Sequence, residues 1–171
     1  MVVVPWQRLR LAQWLRRMRG LLQARHASAL LGGALALWGL GNAGYVHAKA
    51  ALAQVLLRDA WARAQSGHAT PRPWPWADTW PVARLTVPRL AVDQIVLAGA
   101  SGRTLAFGPA LSPAGAAIGG EGTAVLSGHR DTHFAFLREL VSGDRVWLDT
   151  PQGRVAYVIE QTSVVDARRA R

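Results

Sequence analysis

The spacing of apolar and polar positions changes character several times along this chain, and each change predicts a different element. From Trp6 to Leu22 apolar residues alternate with arginines, the pattern of a basic helix lying on an anionic surface or of a solvated tail. From Ala27 to Val46 the chain reads ASALLGGALALWGLGNAGYV, 20 residues without a charge. As a helix this run would rise about 30 Å, the thickness of a hydrocarbon core. A transmembrane signal-anchor helix is therefore expected over residues 27–47, behind a basic cytoplasmic tail of residues 1–26. A cleaved signal peptide is the rival, since AGYVHAKA offers small residues, but the apolar run is longer than the roughly 7–15 residues of such peptides.

Apolar residues then recur near helical spacing at Leu52, Val55, Leu56 and Trp61, which predicts a short stalk or docking helix. Pro71, Pro73, Pro75 and Pro81 forbid a regular helix over SGHATPRPWPWADTWP, so residues 48–81 read as a stalk followed by a Trp/Pro-rich linker. Trp74, Trp76 and Trp80 are expected to pin the linker to its own domain rather than to form a recognition surface.

From residue 82 to residue 171 the period shortens to that of strands, in VARLTVPRL, VDQIVLAGA, GTAVLSG, DRVWLDT and RVAYVIEQTSVV, separated by Gly, Pro and Asp. The fold class is mostly β. DTPQGR predicts a hairpin loop, and FAFLREL a helical turn with Phe134, Leu137 and Leu140 inward.

Charge refines this picture. The formal net charge is +10, but residues 1–26 hold six arginines and no acid, so much of the surplus is a local N-terminal block. That block fits the positive-inside rule and places the N-terminus in the cytoplasm, at a bacterial inner membrane, with the domain on the periplasmic side. Nucleic acid is not an expected partner. The chain has no cysteine, which excludes disulfides, a thiolate metal site and a thiol nucleophile within these residues.

The candidate chemistry centres on AVLSGHRDTHFAFLREL. A strand ending in Ser127 and Gly128 would present His129 at the rim of a sheet, where a general acid or base can reach a substrate. A lone histidine is commonly a surface or structural residue. A metal site shared by His129 and His133, four apart, is a second reading. Arg130 stands where the HExxH pattern needs a glutamate, and a strand-to-loop junction would not hold both rings on one helical face. Arg130 and Asp131 read as a loop-shaping ion pair, and GGEG and GASG lack the spacing of a dinucleotide fingerprint.

The basic tail, the uncharged run, the linker RPWPWADTWPVARLTVPRL, then VLAGASGRTLAFGPA and AVLSGHRDTHFAFLREL, together resemble the sortases of Gram-negative, largely marine proteobacteria. The resemblance runs from about Leu30 to Arg171. It implies a membrane-anchored cysteine transpeptidase on an eight-stranded β-barrel, with no cofactor, acting on an exported protein that carries a C-terminal sorting signal. In that family a cysteine attacks a backbone carbonyl of the sorting motif, a histidine protonates the leaving amine, an arginine steadies the oxyanion, and an amine acceptor resolves the thioester. His129 matches the histidine. The family's cysteine and arginine belong to strands that would follow VVDARRAR, so the resemblance leads to the expectation of a truncated, inactive form. The alternatives are a non-enzymatic membrane-tethered peptide-binding module and, behind it, a metal-dependent hydrolase using His129 and His133.

Overall fold

The computed structural model describes residues 6–166, and side chains from Gly32 onward. The chain divides into two compact units, Met1–Lys49 and Ala50–Arg171. One helix, α1, runs through Trp6–Gln65, so the segment expected to span a membrane and the segment expected to form a stalk are helical without a break. The basic tail, residues 1–26, lies outside the residues whose side chains are described.

The expected membrane-spanning helix over residues 27–47 is not supported: among the described residues no helix is long and apolar enough to cross a membrane. The side chains of residues 27–31 lie outside the description, and the rest of the stretch is diluted by Gly32, Gly33, Gly39, Gly41, Asn42 and Gly44. Leu35, Leu37, Trp38 and Leu40 are exposed along it.

In the second unit the end of α1 docks rather than standing free. Leu57, Trp61 and Ala64 are buried against Ile95, Leu97 and Ala110. Gln54 adds a hydrogen bond from its Nε2 to the carbonyl of Phe107 (2.9 Å). The helix stops in a Schellman arrangement: Gly67 takes a left-handed φ of +96°, its N–H bonds to Ala64, and the N–H of His68 bonds to Arg63. The prolines then hold the chain extended. Trp74 packs edge-on against Phe107 at 5.0 Å and Trp80 is half-buried, as expected of pinning residues, whereas Trp76 is 82% exposed.

The remaining chain is a six-stranded sheet, ordered β4-β3-β2-β1-β5-β6, whose edges are β4 and β6. The strands are β1 (Pro81–Val87), β2 (Val92–Ala98), β3 (Ala110–Leu111), β4 (Leu126–Ser127), β5 (Arg145–Thr150) and β6 (Gly153–Val158). A four-residue helix, α2 (Gly102–Leu105), precedes β3. The pairings are antiparallel except β2 with β3. Alternation works as read in β1, where Pro81, Ala83, Leu85 and Val87 are buried. In β2, Ile95 and Leu97 face the helix while Val92 and Val96 pack into the inner cluster with Ala83, Leu85, Leu148 and Phe136. Two covered faces explain its unbroken Ile-Val-Leu run.

Several expectations shift. The strand expected over GTAVLSG contracts to Leu126–Ser127, the run after Arg154 is strand only as far as Val158, and the two-residue β3 escaped the pattern. Among the described residues the sheet is an open half-barrel of six strands, not the closed eight-stranded barrel. DTPQGR is the predicted hairpin, closing at Thr150 and Gly153. The turn after the histidine is a 3-10 helix, Ala135–Glu139, that buries Phe136; Leu140, just past it, is also buried, while Leu137 stays 42% exposed.

One ion pair locks two of the connections. Arg89, in the 3-10 turn Pro88–Leu90, grips Asp144 with both ends of its guanidinium (2.7 and 2.6 Å) and also donates to the carbonyl of Glu139. The N–H of Val141 donates to the same carboxylate. These donors, Arg89 first, hold the Asp144 carboxyl at about 2, below its ordinary 3.8.

A group with a depressed folded pKa contributes stability that is complete above its unfolded value and is lost as the pH falls through the folded one. Asp144→Asn should therefore lower the melting temperature at neutral pH and flatten its fall between pH 3.8 and about 2, measured by thermal unfolding across a pH series. Leu57 is fully buried, so Leu57→Ala should cost about 2–5 kcal/mol in urea unfolding followed by tryptophan fluorescence.

Candidate functional site

His129 lies just past the end of β4 and is exposed. The strand is anchored by Leu126 opposite Leu111 and Ser127 opposite Ala110. Gly128 then makes a close approach possible: a Cβ there would stand 2.9 Å from the Phe134 ring. Any side chain would push that ring off the backbone, so the glycine lets Phe134 fold back over the strand end. Phe134 in turn meets Phe136 edge-on at 5.9 Å.

Between them, residues 129–134 form a turn closed on the histidine itself. The carbonyl of His129 accepts the N–H of Phe134 (3.0 Å) and of Thr132 (3.3 Å). On β2, Gln94 donates from Nε2 to the carbonyl of His133 (2.7 Å). Among the described residues it is the one side-chain hydrogen bond between residues 128–134 and the sheet. Arg130 and Asp131 pair at 3.4 Å in the open, as the sequence suggested, and shape the turn more than they stabilise it. The turn is not an α-helix, so His129 and His133 do not share a helical face. No group of three or more metal-ligating side chains comes together among the described residues.

Leu126 and Phe134, which flank the histidine turn, are also walls of an apolar cleft of about 310 Å³ completed by Phe136, Leu148, Tyr157 and Ile159. His129 itself does not line this cleft, although its neighbours Leu126 and Phe134 do, and the walls Leu85, Phe136, Leu140 and Leu148 belong to the inner apolar cluster. The β3–β4 connection bounds the groove on another side. It continues the hairpin through Ser112 to Val125 and Ala116 to Thr123, and at its tip the N–H of Gly119, at φ +75°, donates to the Tyr157 hydroxyl on β6 (3.0 Å).

The sequence singled out His129 as the candidate but not Gln94, nor the close packing at Gly128. A signal for the glutamine was present: Gln94 is a polar residue between Val92 and Val96 on the face of β2 that enters the core. Nothing in the sequence pattern shows that a phenylalanine six residues on lies over Gly128.

A sequence profile of the sortase domain matches residues 85–171, half of the chain and all of the strands from the middle of β1 onward. No curated protein matches. Among solved structures the chain is similar to a Clostridium perfringens sortase D5 transpeptidase, at 14% identity over 65% of this chain and 73% of that one, with a TM-score of 0.54. It is also similar to sortase E from Streptomyces avermitilis (31% identity, 48% of this chain, 57% of that one, TM-score 0.45). A third is the Streptococcus agalactiae sortase C1 complex with MTSET (24%, 47%, 45%, TM-score 0.42). The chain spans about half the length of the last two. The likeness to sortase D5 supports the architecture, and the profile covers both the sheet and the histidine turn: the chain belongs to the sortase family.

Proposed function

We propose that this domain supplies the substrate groove and the acid/base histidine of a cysteine transpeptidase of the Gram-negative sortase group. The observation that carries the reading is the position of His129, at the end of β4 between two residues of the apolar cleft, Leu126 and Phe134, inside the matched segment. The substrate is an exported protein with a C-terminal sorting signal, laid along the groove. A thiolate attacks the scissile carbonyl carbon and the C–N bond breaks. The histidine gives its proton to the departing amine and a thioester forms. An acceptor amine then attacks the thioester, returns a proton to His129 and releases the thiolate. The 171 residues contain no cysteine, so the nucleophile is a cysteine outside them, and these residues by themselves are inactive.

A second reading has its own support. An apolar groove in a chain without cysteine also suits a peptide-binding module that performs no chemistry.

The N-terminal part, in our reading, holds the protein at the bacterial inner membrane with the domain on the periplasmic side. The support is the arginine block before the uncharged stretch, although the described part of that stretch falls short of a membrane span. A reporter joined after Arg171 should be active only in its exported form. Activity in the cytoplasm would overturn this placement.

For the chemistry, the chain alone should neither cleave nor transfer sorting peptides. Joined to a segment carrying a strand that ends in Thr-Cys and a following strand with arginine, it should do both. His129→Ala should then lower turnover by about 10²–10⁴-fold, while His133→Ala largely spares it. Peptide binding without cleavage in the joined protein would favour the binding module, and cleavage by the 171 residues alone would overturn the assignment of the nucleophile.

A further inference from the structure

We infer that Gln94 is a positioning residue for His129, acting through a single peptide group. Its Nε2 donates to the carbonyl of His133 at 2.7 Å. That carbonyl belongs to the peptide unit whose N–H, on Phe134, donates to the carbonyl of His129 at 3.0 Å. The three groups form one line: glutamine amide, peptide 133–134, histidine carbonyl. Each bond in such a line polarises the next, so the glutamine strengthens the contact that closes the turn on His129.

Stability does not account for an amide at this place. Gln94 lies between Val92 and Val96 on the inner face of β2, and its Oε1 is buried with no hydrogen-bond partner among the described residues. An acceptor buried without a donor opposes folding, and a methionine would fill similar space without that penalty. What the amide does, and a hydrocarbon cannot, is fix the turn's place on the sheet. The turn's other bonds, from Thr132 and Phe134 to His129, lie within the turn and set its shape only. An acid/base group has to be held to about half an ångström, which is what a tether to a central strand supplies.

The inference rests on the reading of His129 as the acid/base group, and its test is independent of catalysis. In the full 171-residue chain, amide hydrogen exchange and the imidazole NMR signals of His129 are compared between the natural protein and Gln94→Met. Exchange at the Phe134 amide should quicken at least tenfold while Leu85 and Leu148 keep their protection. The His129 ring signals should move toward rotamer-averaged values, and the melting temperature should hold or rise. Gln94→Glu should restore the turn only at pH values where its carboxyl is protonated and can donate. Unchanged exchange at Phe134, unaltered His129 signals, or a loss of protection spread equally over Leu85, Leu148 and Phe134 would each overturn the inference. Failure of the peptide-cleavage experiment would leave these signals untouched, so the two readings fail separately.

Discussion

Strand β2 has to satisfy two apolar layers at once, and the rest of the domain is arranged around that demand. Its Ile95 and Leu97 need the end of α1, and its Val92 and Val96 need the inner cluster built by β1, β5 and the 3-10 turn after the histidine. A strand covered on both faces cannot slip by one residue without turning each set toward the wrong partner. Its register fixes the parallel pairing with β3, and β3 in turn fixes β4, the strand that ends at the histidine. The position of His129 thus descends from a burial constraint two strands away.

That lineage explains how His129 is held in place at the end of a two-residue strand. Edge strands are the least restrained part of a sheet, and β4 pairs through only two residues. Precision is recovered by devices that do not depend on strand length: the Phe134 ring over Gly128, the turn closed on His129, and the bond from Gln94. The apolar groove shares Leu126, Phe134 and Phe136 with these devices, so filling the groove and holding the histidine are tasks for the same side chains.

Much of the sheet was legible because half-buried strands write their period into the sequence, as β1 does, because a doubly covered strand shows as an apolar run, as β2 does, and because the hairpin at Pro151–Gln152 carries turn residues. His129 stood out as a candidate because a glycine, a short apolar run and a family-like segment coincide there. What was not legible depends on contacts between distant residues. The two-residue β3 has no period to read, and the burial of Leu57 and Trp61 depends on a surface formed some forty residues later. Helical spacing predicted a helix near Leu52 but could not show that it continues unbroken from Trp6. Absence of charge over residues 27–46 likewise counted for more in the reading than the glycines and the asparagine that dilute the stretch.

Gly128 gives the histidine turn an uneven tolerance to sequence change. With a phenylalanine ring 2.9 Å from where a Cβ would stand, the position admits one amino acid of the twenty without displacing its neighbours. Arg130, Asp131 and Thr132, two to four residues further on, are exposed at the outer side of the turn and touch little beyond it. Side-chain changes at those three positions meet no packed neighbour, and the contact they put at stake is the Arg130–Asp131 pair. The turn is therefore constrained at its first residue by packing and along its crown only by its own short-range contacts.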